Sequence, residues 1–296
     1  MKKTNGNHLL YEEDAYLNLY DLKALNSIYR SEFLPCASGE VFTQSFIPEN
    51  KEGIVILIHG YLDHSGSLAP IIHFLVDNSF GVITFDLPGH GYSYGARGDI
   101  NHFQEYIQVL HDVVLHSKSD FKKEVPFFAI GHSTGCSVLT DYIVKYPSTF
   151  QKTILVAPLV KPYLWSFSQL GVKLLGKRVK SIKRKFRKNA SNKVYLDFVK
   201  KDPLQFSDLP INWLVSLSRW QDTVLQYPIQ VEPLYLIQGN KDKTVDWDFN
   251  ISFLLQKFPN SKAILIDGGN HQLFNEKQSI QLITFEYIKS ILLSID

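Results

Sequence analysis

From Gly53 onward, short apolar runs alternate with stretches of helical period, and this alternation restricts the fold more than any other feature of the chain. Residues 54–58 (Ile-Val-Ile-Leu-Ile) carry no polar side chain, the pattern of a strand covered on both faces. Residues 68–76 follow at helical spacing, and 81–85 make a second buried run. Residues 102–115 place Phe103, Tyr106, Ile107, Leu110, Val113 and Val114 along one stripe of a helix. The rhythm continues with strand 127–130, helix 136–144 and strand 153–157. After an interruption it resumes with strand 234–237, helix 251–258, strand 263–266 and helix 280–293. Strands joined through helices are parallel crossovers, so the expected class is α/β, a mainly parallel central sheet with helices on both faces.

Ahead of this core, residues 40–47 and those near Phe33 read as a hairpin around Ala-Ser-Gly, at the sheet edge. Residues 14–29 have helical spacing and are expected to pack on the outside. The interruption, 158–228, holds three of the four tryptophans and a dense basic block. It reads as a helical lid (cap) insertion over the C-terminal strand ends, where open parallel sheets bind ligands. The expected division is 1–157 and 229–296 as core, with 158–228 as cap. There is no internal repeat.

The chain is long enough for a sizeable core, with 296 residues, 45% of them hydrophobic. Its net charge of +2 gives no reason to expect a nucleic-acid partner. Cys36 and Cys136 are far apart and suggest no disulfide framework, which fits a reducing compartment. The first twenty residues lack the apolar region of a signal peptide, and no run of about 18 apolar residues exists to span a membrane. The expected location is cytoplasmic. No pattern specifies an oligomeric state.

Gly131-His132-Ser133-Thr134-Gly135 matches G-x-S-x-G between a strand and a helix. The turn is too tight for larger side chains at its glycines, and it holds the serine hydroxyl up at the sheet's edge. A serine hydroxyl is a poor nucleophile at neutral pH and needs a base, which in turn needs an orienting acid. Asp242 lies just past strand 234–237 and His271 just past strand 263–266. Both therefore fall on the same edge as Ser133, in the order Ser, acid, His that goes with this strand–serine–helix element. Asp246, Asp248 and Asp267 compete for the acid's place. Asp246 and Asp248 read as the start of the next helix, and Asp267 as a cap on the turn before His271. His59, His64, His90 and His132 also sit in strand-end loops, too early for the base. An oxyanion needs two N–H donors, and the amides of Thr134 and Tyr61, the latter in His59-Gly60-Tyr61, are the candidates.

Three further segments carry a resemblance. They are His59-Gly60-Tyr61-Leu62-Asp63-His64-Ser65-Gly66, Asp86-Leu87-Pro88-Gly89-His90-Gly91-Tyr92-Ser93 and Gly95-Ala96-Arg97-Gly98. With the serine elbow they resemble the α/β-hydrolase superfamily, in its branch of monoacylglycerol lipases and bacterial lysophospholipases, also called the serine aminopeptidase S33 group. The likeness covers 40–157 and 229–293 and departs at Thr134, where many members have Met. The resemblance implies an α/β-hydrolase fold and a serine hydrolase that cleaves a lipid-like ester through an acyl-enzyme. It implies no cofactor and no metal. Epoxide and haloalkane hydrolysis are disfavoured, because on this fold they use an aspartate at the elbow.

Substrate choice rests on the insertion. Residues 173–188 hold nine Lys or Arg and no acid, so the rest of the chain is net acidic. Val172, Leu175, Val179, Ile182 and Phe186 recur at helical spacing, which reads as a basic amphipathic helix. Such a helix either packs its apolar face on the core or touches an anionic membrane. Trp165, Phe167, Leu170, Phe198, Phe206, Trp213 and Trp220 supply apolar lining for an acyl chain or for the lid's own small core. An S33-type aminopeptidase would need insertion acids to hold an amino terminus, and Asp197, Asp202, Asp208 and Asp222 are few beside the cations. A non-catalytic receptor on the same fold would not require Ser, Asp and His together.

Overall fold

The computed structural model describes residues 11–121, 125–165, 179–184 and 188–294. Its centre is an eight-stranded sheet. The strands are β1 (Ile28–Cys36), β2 (Gly39–Ile47), β3 (Gly53–Ile58), β4 (Phe80–Phe85), β5 (Phe127–His132), β6 (Lys152–Val156), β9 (Tyr235–Gly239) and β10 (Lys262–Ile266). They lie in the order β1-β2-β4-β3-β5-β6-β9-β10. β1 and β2 form an antiparallel hairpin at one edge, β2 meets β4 antiparallel, and all remaining pairs are parallel.

The unbroken apolar run of β3 is explained by what covers it. Ile54, Ile56 and Ile58 pack in one core with the helices Gln104–Asp120 and Thr134–Lys145. Val55 and Leu57 face the opposite core, with helices Ala69–Asp77 and Gln278–Leu293. Alternate side chains point to opposite faces, so both sets are fully buried, at roughly 1.5–3 kcal/mol each. The last helix is held by a buried lysine at the start of β6: Lys152 Nζ donates to Ile291 O at 2.8 Å and Ser294 Oγ at 2.7 Å. It thereby adds a donor to a carbonyl of the helix's last turn, a group that no residue further along the helix can fully satisfy.

The chain runs from β3 to β4 on one side and then returns to place β5 on the other. The loops leaving β3 and β5 therefore diverge at their C-terminal ends, which opens the crevice where this class of sheet binds ligands.

Between β6 and β9 the chain makes β7 (Ser181–Lys183), a helix Lys193–Val199, β8 (Asp208–Pro210) and a helix Ile211–Val224. Trp213, Leu217, Trp220 and Val224 of that last helix are buried in the same core as Phe103 and Leu110. Most of the expected basic helix at 173–188 lies outside the described residues. Where it is described, the reading fails: Ser181–Lys183 is a strand paired antiparallel with β8, so no helix runs through Ile182. The apolar spacing of Val179 and Ile182 fits either structure over so short a window, and the pairing partner lies far along the chain. The expectation for 14–29 is corrected too. The helix there is Glu13–Leu19, and Asp21, with φ +56°, turns the chain toward β1. Among the described residues no helix is long and apolar enough to cross a membrane.

Candidate active site

β5 ends at His132 and the next helix begins at Thr134, so Ser133 alone turns the chain, with φ +52° and ψ −111°. A residue with a side chain is strained in that region, by about 1–3 kcal/mol. Its surroundings hold it there. Ser133 N–H donates to Val156 O at 3.0 Å, and Ser133 O accepts from Cys136 N–H at 3.0 Å. The flanking glycines let strand and helix approach. A Cβ on Gly135 would lie 2.5 Å from Ile58 O, and one on Gly131 would lie 2.7 Å from the Gly135 carbonyl.

His271 and Asp242 reach the same point from the loops after β10 and β9. His271 Nε2 lies 2.9 Å from Ser133 Oγ, and His271 Nδ1 lies 2.7 Å from Asp242 Oδ2. With Nδ1–H donating to the carboxylate, Nε2 is left to accept from the serine hydroxyl. Asp242 Oδ1 also accepts from Thr244 N–H at 2.7 Å and Val245 N–H at 3.2 Å, and Oδ2 accepts from Gln238 Nε2 at 3.2 Å. Burial pushes the Asp242 carboxyl up, but neighbouring His271 and these bonds outweigh it and hold it below the usual carboxylate range. Asp242 is thus an ionised acceptor fixed by four donors.

The competing acids are elsewhere engaged. Asp246 pairs with Lys161 at 3.3 Å at the start of helix Trp247–Lys257, and Asp248 sits in that helix's first turn. Asp267 does not cap the turn before His271. Its Oδ1 accepts from Asn240 Nδ2 at 2.8 Å, and Asn240 Oδ1 accepts the Gly268 N–H of that turn at 2.9 Å.

Several supporting residues carry no signal in the sequence. Buried Glu276 accepts from Asn270 N–H at 3.1 Å and from Asn270 Nδ2 at 2.7 Å, fixing the residue before His271, and takes Ser191 N–H at 2.8 Å. His132 Nε2–H donates to His271 O at 3.0 Å, and burial, with His271 alongside, pushes its pKa down to about 4. Gln272 Nε2 donates to Asp63 at 2.9 Å, tying the loop of His271 to the loop after β3. The motif position of His132 is the one feature that draws attention to any of them.

Neither the Tyr61 amide nor the Thr134 amide has an acceptor among the described residues. Thr134 opens the helix that follows Ser133, where helix partial charge favours an anion. Gly60 passes close to the serine: a Cβ on it would lie 3.0 Å from Ser133 Cβ. His59 shapes this turn, with Nε2 accepting from Leu87 N–H at 2.9 Å and Nδ1–H donating to Gly60 O at 2.8 Å. The arrangement can move a proton from Ser133 Oγ to His271 Nε2, balance the imidazolium with Asp242, and offer two free amides to a developing oxyanion. No cluster of His, Cys, Asp or Glu that could hold a metal ion occurs among the described residues.

The serine aminopeptidase S33 profile (Hydrolase_4) matches residues 49–278. Phospholipase YtpA of Bacillus subtilis is 25% identical over 236 residues, covering 76% of this chain and 90% of its own. Monoglyceride lipase of Rattus norvegicus is 28% identical over 239 residues, 76% of this chain and 77% of its own. Among solved structures, a soluble variant of monoglyceride lipase from Saccharomyces cerevisiae superposes with a TM-score of 0.78 at 18% identity, covering 92% of this chain and 96% of that one.

Proposed function

Because the chain belongs to the serine aminopeptidase S33 family, we propose that this serine hydrolase cleaves carboxylic esters of monoacylglycerol or lysophospholipid, with Ser133, His271 and Asp242 as its triad. Ser133 Oγ attacks the ester carbonyl as His271 Nε2 takes its proton, and Asp242 holds the ring's other N–H. The tetrahedral oxyanion accepts from the amides of Tyr61 and Thr134. His271 then gives its proton to the departing alcohol, leaving an acyl group on Ser133, and water reverses the steps with His271 as base. The observation that carries this reading is the pair of contacts at 2.9 and 2.7 Å linking Ser133, His271 and Asp242. The lipid ester is supported by relatives named phospholipase, monoglyceride lipase and lysophospholipase.

Peptide substrates are less well supported, because the insertion's acids are engaged or turned outward. Asp202 meets His64 at 2.8 Å, Asp208 meets Lys183 at 3.0 Å, Asp197 meets Lys200 at 2.9 Å, and Asp222 is exposed on helix Ile211–Val224. Purified protein tested on p-nitrophenyl esters, monoacylglycerols, lysophospholipids and aminoacyl-p-nitroanilides decides the matter. Turnover of anilides above that of esters would overturn the reading, as would ester turnover surviving in Ser133→Ala.

In the same reading, residues 158–228 are the cap, and the cap meets an anionic membrane. Ile182, exposed between the exposed Lys180 and Lys183 at β7, supports this contact. Lys180→Gln should weaken binding to phosphatidylserine vesicles by about fivefold at low salt. Hydrolysis of p-nitrophenyl acetate should be unchanged. Equal losses on vesicles and on soluble ester would overturn the membrane contact.

A further inference from the structure

The loop 61–66, which leaves β3 and carries the Tyr61 amide, is gripped by the insertion at both ends. At the first end the Tyr61 ring lies flat on Trp213, with centroids 3.6 Å apart and planes within 13°. Trp213 is 4% exposed and belongs to helix Ile211–Val224. At the second end, His64 Nε2 meets Asp202 Oδ2 at 2.8 Å, with both side chains buried. The tryptophan's helix is itself pinned beside the loop. Ser216 Oγ lies 2.8 Å from both Ile100 O and Asn101 O, and Asn212 Nδ2 donates to Asp99 at 3.0 Å. The same neighbourhood receives the Tyr61 hydroxyl, which donates to Gly98 O at 2.8 Å.

The Tyr61 amide has no acceptor of its own among the described residues, and its peptide plane is held at the other end, where Gly60 O accepts from Asp63 N–H at 3.2 Å and from His59 Nδ1–H at 2.8 Å. The Tyr61 side chain adds the hold on the amide's own side, through the stack on one face and the Gly98 bond at the tip. We propose that Trp213 is a positioning residue for the reaction: its stack on Tyr61 aims the Tyr61 amide at the oxyanion, so catalysis on any acyl group depends on the insertion being docked. This rests on the reading of Ser133 as nucleophile and the Tyr61 amide as donor. An alternative role for Trp213, as a wall of the acyl pocket, predicts a different pattern of losses.

The test is steady-state hydrolysis of p-nitrophenyl acetate and p-nitrophenyl octanoate by folded variants. Losing one oxyanion donor costs about 10²–10³-fold in kcat, so a misaimed donor should cost about 10- to 100-fold. Trp213→Leu should therefore lower kcat by that factor on both esters alike, with KM within about threefold and the fluorophosphonate labelling rate of Ser133 falling in step. Trp213→Phe, which can still stack, should restore most of it. Tyr61→Leu keeps the amide and should reproduce the loss. The double variant should be no slower than the slower single, because both remove one contact. Val224→Ala, a core truncation at the far end of the same helix, should keep kcat within about twofold. A loss that grows with acyl length and appears in KM would overturn the proposal in favour of a pocket wall. An equal loss in Val224→Ala, or additive singles, would also overturn it. If Trp213→Leu does not fold, Tyr61→Leu against Tyr61→Phe decides, since only the latter keeps a stacking ring. Failure of the underlying reading is seen separately, as labelling of the wild type that persists in Ser133→Ala.

Discussion

Asp202→Asn should destabilise the protein by about 3 kcal/mol, and the reason is a conflict of donors. Asp202 Oδ1 accepts from Tyr20 OH at 2.7 Å and Leu204 N–H at 2.9 Å, and Oδ2 meets His64 Nε2 at 2.8 Å. His64 Nδ1 accepts from Gly66 N–H at 3.1 Å, so the ring's proton sits on Nε2 and points at Asp202. Three donors thus converge on one carboxylate. An asparagine has one oxygen, and either orientation of its amide sets an NH₂ against a donor, at Leu204 or at His64. Bonds to a charged group are worth about 1.5–3 kcal/mol, and a buried unsatisfied donor costs about 1–3 kcal/mol. Burial pushes the Asp202 carboxyl up, but the bonds from His64, Tyr20 and Leu204 outweigh it and hold it below the ordinary value. A depressed acid contributes stability that is present above its unfolded pKa, about 3.9, and lost as pH falls through the folded value. Thermal melts of wild type and variant at pH 7, 5 and 3.5 should differ by about 5 °C at the first two and by less at the third, closing fully only below the folded value. A difference below about 1 kcal/mol at pH 7 would refute the argument. So would a difference that vanishes between pH 6 and 8, since His64 rather than Asp202 would then carry the titration.

Ser133→Ala should leave a folded protein whose ester hydrolysis is down by several orders of magnitude, read in the p-nitrophenyl assay. Asp242→Asn should lower kcat by about 10⁴-fold by reversing the His271 tautomer, with Asp246→Asn nearly silent; the reverse ranking would move the acid. Gly135→Ala should lower stability by about 1–3 kcal/mol in denaturant titration, because the added methyl meets Ile58 O at 2.5 Å, and activity should fall with it.

The buried strands were legible because a run such as 54–58 has one physical use, a strand with apolar cover on both faces. The meeting of Ser133, Asp242 and His271 was legible for a related reason. Parallel strands put every following loop on one edge, so three loops read from one-dimensional rhythm share one place. What could not be read is whatever depends on partners distant in sequence and free of pattern. β7 takes its identity from β8, and over three residues the spacing around Ile182 suits a helix as well. Glu276 fixes the turn before His271 without belonging to any motif. The stack of Trp213 on Tyr61 joins helix Ile211–Val224 to the loop after β3, and the sequence marks both residues merely as aromatic. Asp267 looked like a turn cap because aspartate often is one, while Asn240, from the neighbouring strand's loop, ties that turn instead.

Ser133 and His271 lie 138 positions apart, and β9 and β10, whose loops bring Asp242 and His271, stand at the end of the sheet laid down last. A chain emerging from the ribosome makes β1 to β6 before β9 and β10, with Ser133 already strained at its turn and the Tyr61 amide nearby. His271, which takes the serine's proton in the proposed mechanism, has then not yet been made. On that mechanism the growing polypeptide stays chemically silent until β9 and β10 dock and bring Asp242 and His271 to Ser133. Activity in that mechanism thus reports on synthesis as far as His271, and a frameshift between β6 and His271 yields an inert protein rather than a weakened one.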